Sequence, residues 1–463
     1  MAGYKMSARE IPLDESYEVV VAGGGPAGCA AAAAAAREGA RTLLVEATSY
    51  LGGMGTGGLV PFWCGYGDGE KIIARGIAEK VLAGCRAGAR TPPPPERDEW
   101  IPPIDAEVLK RVYDDLVTEA GADVLFGTQL CAVEKAPAGE VSVAVFSNKS
   151  GLSAYGARVF VDCTGDADLA AWAGAEFQKG DAETGDMQPA TLCFVLTNVD
   201  DEAAKLGPGI HRWAPGSPIR ELIESDEYPL IIDGHTCNMR LGPGTWGFNT
   251  GHVYRVDNTD PVSASRAVLQ GRRMAKQYLD AFSKHIPAFR NAQLVATGSL
   301  LGVRETRRVI GDYVLVIDDY LAGRSFPDEV CRNAFGIDVH YDEKTARRFS
   351  MMEIDEAKRF HRERWQELES GQSVGVPYRC LTPRDLRNVL VAGRSISTDR
   401  QVNGSTRIMA CCLNTGEAAG MAAAHAVRHH ESDVHAVDTG RLRERLTEEG
   451  AYLPEPEPAA VGR

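Results

Sequence analysis

Gly23-Gly24-Gly25-Pro26-Ala27-Gly28 is the stretch whose residue types and spacing most directly imply chemistry. In a G-x-G-x-x-G run between a strand and a helix, the first glycine makes the tight turn. The second lets a pyrophosphate approach bare backbone, and the third allows close helix–strand packing. The alanine-rich helix expected over 28–38, stopped at Gly39, would offer unpaired N–H groups and a partial positive charge to the phosphates. Glu46 lies eighteen residues beyond Gly28, where a carboxylate can accept both ribose hydroxyls of an adenosine. Strand, helix and acid fall in register, which predicts dinucleotide binding. The hexapeptide pattern recurs at Gly242-Pro243-Gly244-Thr245-Trp246-Gly247, but a strand-like run follows instead of a helix. That copy predicts a turn, so no second dinucleotide module is expected.

Groups that could move a proton are few. His235 and His252 fall in the region expected to contact substrate, and Asn249 precedes His252 in FNTGH. Tyr313 could serve with a depressed pKa. Arg304-Glu305, followed by Arg307 and Arg308, either reaches a polar substrate or forms a salt-bridge network between domains, and both readings stay open.

The elements that must position these residues follow from hydrophobic pattern. Tyr17–Ala22 and Arg41–Glu46 read as buried strands around an alanine-rich helix, which makes one βαβ unit. Pro92 to Pro95, with Pro102 and Pro103, mark an exposed loop. Residues 105–120 carry Val108, Val112, Leu116 and Val117 at helical spacing, and 122–125 reads as a third parallel strand. A small antiparallel meander is expected over 130–161, and VFVDC at 159–163 returns to the main sheet. Residues 191–198 and 246–256 read as strands of a second sheet, with a long helix over 263–285. NVLV at 388–391 reads as a closing strand, followed by a final helix over 406–429; the chain after His435 reads as poorly ordered.

At 463 residues, two interwoven domains are expected, and the net charge of -14 argues against nucleic-acid or anionic-membrane surfaces. Eleven scattered cysteines, with no C-x-x-C, read as reduced thiols in a cytoplasmic protein with no metal site. No signal-peptide pattern opens the sequence, and no apolar run is long enough to span a membrane. A homodimer is the default expectation.

Beyond Glu46, the loop Leu51-Gly52-Gly53-Met54-Gly55-Thr56-Gly57-Gly58 resembles the second glycine-rich loop of FAD-dependent oxidoreductases with a glutathione-reductase-type fold. Val161-Asp162-Cys163-Thr164-Gly165-Asp166 looks like the strand-then-Thr-Gly signature of the same superfamily. NVLVAGRSIS, with Gly393 and Arg394, and Asn403-Gly404-Ser405-Thr406-Arg407 look like its C-terminal flavin-contact segment. Together with LGVRETRRVIGDY at 301–313, these motifs are similar to a bacterial family related to the fumarate reductase and succinate dehydrogenase flavoproteins. The likeness runs from about Tyr17 to His429.

The resemblance implies an α/β fold: a Rossmann-type FAD-binding domain with a three-layer ββα sandwich, discontinuous in sequence, plus a mixed α+β substrate domain. Its boundaries would be an N-terminal tail at 1–16 and FAD-binding segments at 17–180 and 376–435. A substrate domain at 181–300, an interdomain segment at 301–375 and a C-terminal tail at 436–463 complete the division. FAD would be held non-covalently by Gly23, Gly25, Pro26, Ala27, Gly28, Glu46, Gly52, Gly53, Met54, Gly165, Asp166, Gly393, Arg394, Gly404, Ser405 and Arg407. No histidine lies in the 52–58 loop to form a covalent link, and Cys64 is a remote alternative.

The leading functional expectation is a dehydrogenase or oxidase that passes hydride from a small polar organic substrate to the flavin, with His252, His235, Arg304 or Tyr313 at the reacting atoms. Its electron acceptor is unspecified. A C=C reductase or desaturating dehydrogenase is the alternative, favoured if an arginine donates the proton. A non-catalytic flavin-binding assembly or sensor protein is the reading from another class. Gly393-Arg394 stands where aromatic monooxygenases carry Gly-Asp, which disfavours that chemistry.

Overall fold

The computed structural model describes residues 3–454 apart from 5, 90–101, 137–138, 213, 215 and 365. The expected proline loop at Pro92 to Pro95 lies outside the described residues. Five short strands form one parallel sheet in the order Val389–Val391, Val159–Asp162, Val19–Ala22, Thr42–Val45, Asp123–Leu125. The three central strands are buried at every residue, as a sheet covered on both faces requires. One cover is the alanine helix Pro26–Arg37; the other is a meander of Gln129–Lys135, Val141–Asn148 and Gly151–Gly156. Helix, parallel sheet and meander make the three layers.

The alanine helix is itself sandwiched. Its other side meets the C-terminal helix Met409–His429, whose Gly416 and Gly420 sit against the backbone of Ala27 and Ala31. A Cβ at either glycine would collide with the carbonyl oxygens of those alanines, so only bare backbone allows this approach. The strand Val389–Val391 and the C-terminal helix thus complete a domain that opened near residue 19.

A four-stranded antiparallel sheet is ordered Thr236–Gly242, Thr245–Thr250, Phe194–Thr197, Gln293–Thr297. The second glycine hexapeptide is the turn between the first two of these strands. The long helix Pro261–His285 backs the sheet through a core that includes Phe194, Phe248, Tyr278, Phe282 and Phe289.

The helix expected over 406–429 is present as Met409–His429; a separate helix, Arg400–Thr406, precedes it, and the extended Ile408 (φ -66°, ψ 150°) divides the two. Two expectations need correction. The chain after His435 is ordered through Thr439–Glu448, a helix capped by Asp438 that buries Leu442 and Leu446. The N-terminal tail contributes Leu13–Asp14, which pairs in parallel with Gly151–Gly156.

Asp162 ends a sheet strand with its carboxylate buried. It accepts the Thr164 N–H (3.0 Å), the Thr164 hydroxyl (2.8 Å) and the Ala170 N–H (2.8 Å). Burial nonetheless pushes its pKa up to about 6. Replacing Asp162 by Ala would orphan these donors beneath the cofactor loop. A loss of roughly 1–3 kcal/mol is expected, read as a lower urea midpoint.

Candidate active site

A cavity of 320 Å³ runs along the carboxyl ends of the parallel strands, where open α/β sheets bind ligands. Gly23, Gly25, Pro26, Ala27, Glu46, Gly53, Met54, Gly165, Asp166, Gly393, Arg394 and Arg407 line it. Gly23 takes φ +97° beside the Cys163 carbonyl, and a Cβ on Gly28 would strike the Gly23 carbonyl oxygen. Gly28 therefore shapes the turn from behind. Gly25 has open space where a Cβ would point, and no side chain caps the helix it precedes. The N–H groups of that first turn remain available to an anion.

Glu46 is aimed by backbone: its carboxylate accepts the N–H groups of Gly24 and Thr48, each at 2.7 Å. Asp166 is held by Arg394 (2.7 Å), the Thr306 hydroxyl (2.6 Å) and Asn258 (2.5 Å). Burial alone would raise its pKa, but Arg394 and these donors hold it below the usual carboxylate value. The Nε groups of Arg394 and Arg407 are buried without a hydrogen-bond partner, so acceptor atoms are lacking where a phosphate- and carbonyl-rich ligand would lie.

Three expected contact residues stand back from this cavity's lining. Gly52, at φ +97°, packs against Tyr113 and Thr56 and donates its N–H to the Gly24 carbonyl. Gly404 abuts the Asp338 backbone. The Ser405 hydroxyl accepts from Asn333 (2.6 Å) and donates to the Phe335 carbonyl. Gly404 and Ser405 thus support the segment 335–338.

A second cavity, of 540 Å³, shares Met54, Val303, Arg394, Arg407 and Met409 with the first. On its wall, His235, His252 and His340 converge from separate segments. His252 Nδ1 faces Asp233 Oδ2 at 3.1 Å, and Tyr254 donates its hydroxyl to the same oxygen at 2.7 Å. His252 Nε2 lies 2.8 Å from His340 Nδ1, and His340 Nε2 lies 3.4 Å from Asp338. Asp338 is also held by Arg407 at 2.7 Å. Arginine can only donate, so the contact of Arg304 Nη2 with His235 Nε2 (3.3 Å) fixes that nitrogen as an acceptor.

Burial, then neighbouring His252, drives the His235 pKa well down; burial, then Arg304, holds His340 down at about 3. Burial would raise the pKa of Asp338, but His340 and Arg407 hold it far below the ordinary value. The result is neutral His235 and His340 imidazoles near ionised carboxylates.

A sequence model of the family described as FAD dependent oxidoreductase matches residues 18–446. The chain belongs to that family. FAD is its cofactor, and the first cavity offers the glycines, the helix terminus and the Glu46 carboxylate that would hold it. Among solved structures, a geranylgeranyl bacteriochlorophyll reductase-like protein from Thermoplasma acidophilum is 16% identical. The match covers 95% of this chain and 84% of that one, with a TM-score of 0.47. The p-nitrophenol 4-monooxygenase of Pseudomonas putida is 10% identical over 96% and 91% of the two chains, with a TM-score of 0.45. A myxobacterial chondrochloren halogenase is 13% identical over 94% and 78%, with a TM-score of 0.44. No curated protein matches the sequence. The family match establishes an FAD-dependent oxidoreductase, and nothing in the comparisons shows kinship to the glutathione-reductase type or to the fumarate reductases.

Of the proposed proton-moving groups, His235, His252 and Arg304 line the cavity beside the FAD site. Tyr313 does not. Its hydroxyl is given to Asp319 at 2.7 Å, Arg379 covers its ring, and burial pushes its pKa up to about 12. Tyr313 is therefore corrected to a structural role. Cys64 lines the substrate-side cavity, with burial pushing its thiol up to about 12. All eleven cysteines are free thiols. Among the described residues, no helix is long and apolar enough to cross a membrane.

The sequence reading missed His340, Asp233 and Asp338. The ring nitrogens of His235, His252 and His340 lie within 4.8 Å of one another, a grouping able to hold a metal that the expectation of no metal site did not foresee. Its geometry suits hydrogen bonding better. His235 and His252 stack at 4.2 Å with planes 11° apart, so no point between them lies in both ring planes, as lone-pair ligation requires.

Proposed function

We propose that this FAD-dependent enzyme oxidises an alcohol carbon of a small polar molecule held in the 540 Å³ cavity. The supporting observation is the shared wall: the histidine cavity and the FAD cavity meet at Met54, Val303, Arg394, Arg407 and Met409. FAD, when bound, would supply the acceptor for the hydride, that is, for the C–H hydrogen with its electron pair. The chain's own residues handle what remains. The O–H proton passes to a neutral imidazole as the carbonyl forms: His340 Nδ1, which exchanges its contact with His252 Nε2 for the substrate hydroxyl. Asp338, on the far nitrogen Nε2, offsets the positive charge that His340 gains. His252, fixed by Asp233 and Tyr254, holds Nδ1 until the substrate takes its place. Met54 and Val303 restrict water at the junction of the two cavities.

The test is anaerobic. Purified FAD-loaded protein is mixed with a panel of alcohols, sugars and hydroxy acids, and loss of oxidised-flavin absorbance is followed. At least one member is expected to bleach the flavin. If none does, while dithionite-reduced protein is reoxidised by an α,β-unsaturated acid, the assignment fails in favour of C=C reduction.

A further inference from the structure

Arg304 is 7% exposed, yet it has no carboxylate partner among the described residues. Its guanidinium donates to the Pro189 carbonyl (2.6 Å), Thr191 Oγ1 (3.1 Å), His235 Nε2 (3.3 Å) and Asn249 Oδ1 (3.5 Å), all of them uncharged groups. The neighbouring glutamate does not help. Glu305 turns the other way and takes Arg308 at 2.5 Å and Arg400 at 3.2 Å. Arg308 and Arg332, also buried, are treated differently: Arg308 has Glu305, and Arg332 has Glu329 at 3.0 Å. An unpaired charge withdrawn from water is among the costlier features a fold can hold, so its persistence beside a cavity calls for a partner that arrives later.

The two ends of this guanidinium differ. Nη1 is anchored to the protein by its shorter bonds, whereas Nη2 makes only the two long ones, to cavity-lining His235 and Asn249. Arg407, on the same cavity wall, adds to the imbalance: it is already paired with Asp338, and its buried Nε has no acceptor. Arg407 also presses the Arg304 pKa down, after burial, to about 10. Arg304 and Arg407 therefore have one aspartate, Asp338, between them, while Asp233 is occupied by His252 and Tyr254.

We infer that the substrate carries a carboxylate, received by Arg304 Nη2 beside Asn249, so that the molecule oxidised is a hydroxy acid rather than a neutral alcohol or sugar. The inference rests on the reading of this cavity as the substrate chamber. A guanidinium and a carboxylate form charge-assisted bonds that uncharged acceptors cannot match. Binding there would place an anion within the same chamber as His340, with the alcohol carbon directed toward the shared wall.

The test reads binding, not turnover. FAD-loaded protein is titrated with acetate, malonate, inorganic phosphate and the neutral malonamide, by calorimetry and by the flavin difference spectrum. Saturable binding of acetate or malonate is expected, with malonamide silent. Arg304→Met should weaken carboxylate binding at least tenfold, and Arg304→Lys should retain part of it. Asn249→Asp, which supplies an internal carboxylate next to the guanidinium, should abolish malonate binding while FAD stays bound; it also decides the matter if Arg304→Met does not fold. Undiminished malonate binding in Arg304→Met or Asn249→Asp would overturn the inference, as would phosphate binding without any carboxylate binding. Malonate binding in a protein whose flavin no hydroxy acid bleaches would sustain the anion site and sink the oxidation.

Discussion

Gly25→Val is expected to give a folded protein that purifies with less than about a tenth of the wild-type FAD content. The residue sits at φ -69°, which any L-amino acid adopts, and a Cβ there meets nothing within 4 Å. A valine therefore costs the fold little and instead fills the space where a diphosphate would meet the helix terminus. The contrast is Gly28→Ala, whose methyl strikes the Gly23 carbonyl oxygen and should lower the unfolding midpoint as well as FAD content. Glu46→Ala removes an acid aimed by two backbone N–H groups. It should weaken FAD binding roughly tenfold to a hundredfold, the range of about 1.5–3 kcal/mol for a charged hydrogen bond. Flavin absorbance against protein concentration, with circular dichroism for folding, checks all three. Wild-type occupancy in Gly25→Val would dismiss this cavity as the dinucleotide site.

His340→Gln is expected to leave FAD bound and slow anaerobic flavin reduction by roughly 10²–10⁴-fold, the usual worth of a positioned base. Asp233→Asn should act in the same direction with a smaller effect, because it loosens the tautomer and orientation of His252. Stopped-flow reduction with whichever alcohol bleaches the wild type provides the measurement. Added imidazole should restore part of the rate in His340→Gly, a recovery that a purely structural role would not produce. Unchanged reduction in His340→Gln would move the proton-accepting role elsewhere in the cavity.

The parts of this protein legible in its sequence are those whose signals are local. A glycine turn, the strand before it, the helix after it and an acid at the next strand end all lie within about thirty residues, and each has a backbone reason for its identity. The histidine cluster obeys no such rule. His340 lies 88 residues from His252 in the chain, and only the meeting of distant segments puts their nitrogens 2.8 Å apart. Asp338 and His340, two residues apart, gave no periodic pattern to mark them. Tyr313 was misjudged because sequence spacing does not reveal which way a side chain turns. The helix at Thr439–Glu448 did carry a signal, an Asp438 cap with Leu442 and Leu446 four apart, which the acidic and proline-rich end of the chain obscured.

The close seat of Gly416 and Gly420 on Ala27 and Ala31 sets an order of events during synthesis. The phosphate-binding turn at 23–28 emerges from the ribosome well before the helix at 409–429 that buttresses it. Until then a nascent chain exposes an apolar alanine face and an open sheet margin at Val159–Asp162, both awaiting partners from beyond residue 388. Loading of the coenzyme should thus wait until residues beyond 388 have emerged, and fragments ending before residue 388 should be released empty and sticky.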